Sequence, residues 1–308
     1  MATLLYTHPD CVAHDTSPGH PERSARLTSV LKALDAPSFA ALVRREAPRA
    51  DLAAIARVHD AAYVREILDA VPEREYVALD ADTIMSPRSG EAALRAAGAL
   101  VAAVDAVLKG EARNAFCAVR PPGHHATFDR AMGFCLYNNI AIGALHALDA
   151  HGLARVAVVD FDVHHGNGTQ DVAERDPRLF FASTHQYPAY PGTGLASETG
   201  QGNIVNVPLE PGTGSAEFRS AFASTVIPAL VAFRPELVFI SAGFDAHRAD
   251  PLASLALTED DFAWATREIL DVAREQCAGR VVSTLEGGYD LDALAASAAA
   301  HVRELMKG

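Results

Sequence analysis

Cysteine is scarce and scattered. The four cysteines, at 11, 117, 135 and 277, form no Cys-x-x-Cys pair, which excludes a disulfide-held scaffold and fits four structural thiols in a reducing cytoplasm. Long apolar runs are missing too. The longest, Gly98 to Leu108, is short and carries Asp105, so it reads as a buried helix and not as a membrane span. The start, Met1-Ala-Thr-Leu-Leu-Tyr-Thr-His, has no basic segment followed by a long apolar one and does not read as a signal peptide. Basic residues are outnumbered, 26 Lys and Arg against 39 Asp and Glu, for a net charge of −13. That balance disfavours nucleic acid and mildly favours cationic partners such as lysine-rich peptides or polyamines. An acidic surface that only keeps the chain dispersed explains it equally well. No Ser/Gly/Pro-rich linker, charge run or repeat divides the 308 residues, of which 49% are hydrophobic, so one domain over 1–308 is expected.

What is present is a rhythm of strands and helices. Thr3 to Tyr6 reads as a strand, then a Pro/Gly loop, a helix over Ser24 to Leu34, and a second over Asp51 to Leu68 with Asp51 as its cap. Val71 to Gly90 reads as a long loop able to shape a site, and Glu91 to Leu108 as a helix stopping at Gly110. Apolar runs at Phe116–Val119, Val156–Val159, Leu179–Ala182, Ile204–Leu209, Leu237–Ile240 and Val281–Leu285 alternate with helical stretches. The stretch over 216–233 is expected to bend at Pro228, and Thr258 with Asp261 marks a further helix start. Strands alternating with helices imply a parallel sheet covered on both faces.

Polar residues gather where these strands stop. Asp160-Phe-Asp162-Val-His164-His165-Gly-Asn167-Gly follows the Val156 strand, and a period of two puts Asp160, Asp162 and His164 on one side. Two carboxylates and an imidazole on one face need a compensating cation, and a bound metal is the simplest. Other strand ends supply His124, His125, Asp245 and Tyr289, which places one crevice at the carboxyl edge of the sheet. Taken singly, a buried Asp is more often a loop cap and a His pair a satisfied polar cluster. Their joint occurrence at successive strand ends favours a site.

The motifs Arg-Pro-Pro-Gly-His124-His125, Gly133-Phe134-Cys-Leu-Tyr-Asn-Asn, Asp160-Phe-Asp-Val-His-His-Gly-Asn-Gly-Thr, Ser241-Ala-Gly-Phe-Asp245 and Glu286-Gly-Gly-Tyr289 resemble the zinc-dependent histone deacetylase family. Within it they resemble most the class II-like bacterial amidohydrolases. The likeness runs in matching order from His20-Pro-Glu to Tyr289. It implies a single-domain three-layer α/β/α fold of the arginase/deacetylase kind, with a mostly parallel sheet. It also implies Asp162, His164 and Asp245 as metal ligands, His125 as general base and acid with His124 beside it, and Tyr289 as oxyanion donor. Three ligands leave room for water and substrate, and oxygen-rich ligation admits Fe(II), Co or Mn in place of zinc. Asp160 and Asn167 fall behind His124 and His125. Where some relatives carry Asp, the neutral Asn167 should leave His125 at a lower pKa.

The same resemblance implies a potassium ion near Asp160, Asp162, His164, Ser183 and Thr184. It places a second monovalent site near Ala173, Asp176, Leu179 and Asn203. Gly133, Phe134, Tyr190, Leu252 and Gly287 would line a narrow acyl-lysine tunnel. Polyamine-selective relatives place a glutamate seven residues after the last metal Asp, where this chain has Leu252. The first loop, Ser17 to Arg23, shows no narrowing insertion either. Both features favour acetyl-lysine over an acetylated polyamine or other small acylamine. His20, Asp80 and Asp82 lie in loops within reach of the rim, and the simpler reading puts them on the surface. A non-catalytic acyl-lysine binder is a remote alternative, because every catalytic position is intact.

Overall fold

The computed structural model describes residues 2–308. In chain order the strands are β1 (Thr3–Thr7), β2 (Val43–Glu46), β3 (Val77–Ala78), β4 (Ile84–Met85), β5 (Asn114–Cys117), β6 (Val156–Asp160), β7 (Leu179–Gln186), β8 (Ile204–Leu209), β9 (Leu237–Ala242) and β10 (Val281–Leu285). The helices are α1 (Pro9–Ala13), α2 (Ser24–Leu34), α3 (Leu52–Ile55), α4 (Ala61–Asp69), α5 (Ser89–Leu108), α6 (Asn139–Asp149), α7 (Asn167–Arg175), α8 (Ser215–Ala221), α9 (Ile227–Phe233), α10 (Glu259–Cys277) and α11 (Leu291–Lys307).

Eight strands form one sheet in the order β2-β1-β5-β10-β9-β6-β7-β8. Every pairing in it is parallel, a stricter pattern than the mostly parallel sheet expected. Helices cover both faces, so the inner strands are buried along their whole length and mostly apolar: β5, β6, β9 and β10 have no exposed residue. β3 and β4 pair antiparallel in a separate small hairpin. In register, Asp160 stands opposite Ser183 on one side and Ser241 on the other, and Ser241 opposite Thr284. The polar strand ends are thereby level along a single edge.

Three local expectations change and one strand of the main sheet is new. The helix expected over Asp51 to Leu68 is two, because Asp60 accepts from Ala62 N and caps a new start. His59, at the break, donates from Nδ1 to Thr127 O and accepts from Asn138 N, both at 2.8 Å. β2 escapes sequence reading because it is an edge strand, largely exposed and written Val-Arg-Arg-Glu, where charge discourages further pairing. In place of the bend expected at Pro228, a π-helical turn over Phe222–Val226 stands directly ahead of that proline, whose missing N–H takes one bond out of the helical ladder there. The loop over 71–90 contains the β3–β4 hairpin, and α5 already begins at Ser89.

The 19-residue stretch Ser215–Phe233 has the length and apolarity of a membrane span. It packs against the protein through the buried Phe218, Phe222, Val226 and Leu230. Cys11, Cys117, Cys135 and Cys277 are all buried free thiols.

Candidate active site

β6 ends at Asp160, and the chain then turns instead of continuing extended. The turn is tied by its own carboxylates: Asp162 N donates to Asp160 Oδ1 (3.0 Å) and His164 N to Asp162 Oδ1 (2.9 Å). The three side chains that a simple period of two puts on one side are thus sorted into two groups. Asp160 faces His124, whose Nδ1 lies 2.9 Å from Asp160 Oδ2. Asp162 and His164 converge instead with Asp245 from the end of β9, and one donor atom from each lies within 4.8 Å of the others.

His164 Nδ1 is 3.2 Å from Asp162 Oδ1 and 3.1 Å from Asp245 Oδ2. A tetrahedral ion bound at about 2.0–2.1 Å sets its donors roughly 3.3 Å apart, so the three residues fit a divalent metal with little movement. The chemistry of the set agrees. Asp162 and Asp245 are buried almost completely, and burial together with the Asp162 charge pushes the Asp245 carboxyl up. Burial opposes a charge on His164, but the two carboxylates overcome it and raise the imidazole to about 10. The trio therefore recruits positive charge. Gly287, expected on the tunnel wall, sits beneath these carboxylates instead. Its N–H donates to Asp162 Oδ2 (2.8 Å), and a Cβ there would fall 2.1 Å from Asp245 Oδ2.

His124 and His125 lie side by side with ring centroids 4.0 Å apart but differ in partner. Burial works against a charge on His124, yet the neighbouring Asp160 and Asp162 raise it to about 10. His125 Nδ1 is 2.8 Å from Asn167 Oδ1, while Asn167 Nδ2 donates to His125 O at 3.2 Å. The amide is therefore oriented to accept from Nδ1–H, which leaves Nε2 with the lone pair. Burial, then the His124 and His164 charges, hold His125 well below the usual imidazole range.

A cavity of about 210 Å³ opens onto this group, lined by Asp82, His125, Gly133, Phe134, His164, Tyr190, Leu252 and Tyr289. Gly133 adopts φ +56°, and a Cβ there would fall 2.3 Å from the His125 ring, so only glycine lets Phe134 turn into the wall. Tyr190 meets His125 edge-on at 5.1 Å, and Phe134 meets Tyr289 edge-on at 5.9 Å. Tyr289 is held from behind by the Arg26 guanidinium, 4.8 Å from its ring centroid, and burial keeps its phenol well above the usual range, hence protonated.

Asp82, expected on the surface, lies on the cavity wall. Asp80 Oδ1 accepts from Asp82 N (3.1 Å) and Thr83 N (2.7 Å), and this Asx turn aims Asp82 inward. The Asp-x-Asp-Thr pattern was the available signal. His20 supports the rim without lining it, its ring edge-on to Phe134 at 4.8 Å and its Nε2 3.0 Å from Asp82 O. Among the residues expected around potassium, Asp160 and Ser183 are register neighbours, and Thr184 Oγ1 is buried without a hydrogen-bond partner. At the expected second monovalent position, the Asn203 amide donates to Ala173 O (2.8 Å) and Leu179 O (2.7 Å).

The family model described as histone deacetylase domain matches residues 20–305. Histone deacetylase 14, chloroplastic, of Arabidopsis thaliana is 38% identical over 99% of this chain and 77% of its own length. A histone deacetylase-like amidohydrolase of Pseudomonas aeruginosa is 42% identical over 87% of this chain and 71% of its own. The crystal structure of the HDA15 HD domain superposes with a TM-score of 0.94 at 35% identity, covering 99% of this chain and 88% of that one.

Proposed function

Because the chain belongs to the histone deacetylase family, we propose that residues 1–308 form one catalytic unit that hydrolyses the acetyl amide of N-ε-acetyl-lysine in peptides or proteins. The observation that carries this reading is the 210 Å³ cavity with His125 Nε2 and the three-donor cluster at its base. A divalent metal held by Asp162, His164 and Asp245, with zinc the best match to the donors, would polarise the amide carbonyl and acidify water. Potassium would sit behind it at Asp160, Ser183 and Thr184.

The chain's own residues supply the proton transfers. His125, neutral with its lone pair on Nε2, takes a proton from the attacking water as oxygen bonds to the acyl carbon. Its Nδ1–H stays on Asn167 throughout. Tyr289, protonated and facing the cavity, donates to the oxygen that gains negative charge as the carbonyl becomes tetrahedral. His124, paired with Asp160, contributes a fixed positive charge beside it. The C–N bond then breaks, and the proton on His125 passes to the departing amine, giving acetate and a free amine. Phe134 and Tyr190 wall the linear methylene chain and exclude water.

Leu252, half exposed at the mouth, offers no carboxylate to a secondary ammonium. Asp82 supports a second reading, an acetylated small amine, because its carboxylate lies on the cavity wall. Turnover of the zinc-loaded protein on an acetyl-lysine peptide, acetylputrescine and acetylspermidine tests both. A large preference for either polyamine overturns the lysine reading. The lack of any hydrolysis, with the peptide still binding, would make the chain an acyl-lysine binder.

A further inference from the structure

The apolar helix α5 carries one acidic residue in its last two turns, Asp105, and catalysis at the sheet edge gives it no role. Its carboxylate meets two imidazoles from another part of the chain. Asp105 Oδ1 is 2.8 Å from His146 Nε2 on α6 and 2.7 Å from His151 Nε2 in the turn between α6 and β6. The three donor atoms lie within 4.8 Å of one another, as those of the catalytic cluster do. The location is separate. α6 starts at the carboxyl edge, where Asn139 Nδ2 donates to Pro121 O, and runs back to deliver the chain to the start of β6. His146 and His151 therefore sit towards the opposite edge of the sheet.

We propose that Asp105, His146 and His151 form a second metal site, selective for a borderline transition-metal dication such as Zn(II), Ni(II) or Cu(II). Two imidazoles and one carboxylate are the donor types these ions prefer, whereas Mg(II) and Ca(II) call for oxygen. The side chains are only 13%, 24% and 36% exposed for His146, His151 and Asp105, enough burial to hold them and enough access to admit an ion. A cavity of about 270 Å³ lined by Asp105 and His146 leaves room for water to complete the coordination.

The present separations are those of hydrogen bonds, with each Nε2 carrying its proton. Binding moves that proton to Nδ1 on each ring and opens the donors by a few tenths of an ångström. Two cations oppose it and must swing away. Arg57 Nη1 lies 3.4 Å from His146 Nδ1, and Lys109 Nζ lies 3.7 Å from Asp105 Oδ2. Both side chains reach solvent and can do so. The bound ion would clip α5 to the α6–β6 turn.

The test uses full-length Asp245→Asn protein, in which the catalytic cluster lacks one ligand, titrated with Zn(II) by calorimetry and followed by its thermal midpoint. One equivalent should bind and raise the midpoint. His151→Gln in that background should weaken binding by tenfold or more, and Arg57→Ser should strengthen it about three- to tenfold by removing a positive charge near the ion. In the otherwise unaltered enzyme His151→Gln should leave deacetylation unchanged. Absence of Zn(II) binding in Asp245→Asn, or binding indifferent to His151→Gln, would show that the trio is a hydrogen-bonded tie and overturn the proposal.

Discussion

Two buried charge clusters flank the Glu286–Tyr289 turn, and they are neutralised in opposite ways. On one side Glu22 is fully buried between Arg26 and Arg120. Arg26 donates to the carbonyls of Glu286 and Gly288, and Arg120 to those of Cys11 and His14. On the other side Asp160, Asp162, Asp245 and Glu286 share only the imidazoles of His124 and His164. The first cluster carries its countercharge covalently, on guanidiniums that never deprotonate, and so serves as a structural peg. The second relies on titratable rings, and His164 can give up its proton to an ion held by the same donors, which is what a reactive centre requires.

That contrast can be broken at several points. Asp245→Asn should release the catalytic metal and lower turnover on the order of a thousandfold or more. Because it also removes one of two repelling buried carboxylates, the metal-free thermal midpoint should hold or rise. Metal analysis with calorimetry checks both. Glu22→Gln should behave in the opposite sense, since it leaves two buried guanidiniums without their partner and should cost about 3–5 kcal/mol of stability. Burial alone would push the Glu22 carboxyl up, but Arg120, His14 and Arg26 hold it well below the usual range. A depressed carboxylate stabilises fully above its unfolded pKa of about 4.3 and loses that contribution as pH falls through the folded value. Denaturant melts should therefore show a constant gap between wild type and Glu22→Gln from pH 5 to 7 that narrows below about pH 4. A gap independent of pH would remove the charge argument.

Smaller effects sharpen the picture at the turn and the mouth. Tyr289→Phe should reduce kcat about 10²–10³-fold with metal content unchanged, as loss of one oxyanion donor does; unchanged kcat would refute that role. Asn167→Asp places a carboxylate on His125 Nδ1 and raises the imidazole pKa, so the acidic limb of the kcat/KM profile should move to higher pH. Leu252→Glu should raise the acetylspermidine to acetyl-lysine ratio only about three- to tenfold, because the position is exposed and an ion pair there is screened.

Much of this was readable in advance where the physics is local. Val156–Val159 and Val281–Leu285 announce themselves as doubly buried strands through continuous branched apolar residues, and Thr258 with Asp261 does form the capping box expected of a helix start. Where several forces compete, local sequence does not decide the outcome. Nothing in Asp51 to Leu68 signals that His59, beside the Asp60 cap where the helix divides, is held by Thr127 and Asn138. Asp82 looked like any loop carboxylate until the Asp80 turn aimed it inward.

The alternation of strands and helices, the family likeness and the residue types crowded at the strand ends are all written in short windows of sequence, because each depends on local composition and order. Which of those residues share a centre depends on how the strands and helices pack. The level register of β6, β9 and β10 joins Asp162 and His164 to Asp245 while turning Asp160 to His124. The same holds for Arg26 reaching Gly288, and for Asp105 meeting His146 and His151 across dozens of residues. Such contacts depend on how helices settle on the sheet, and no local pattern records that.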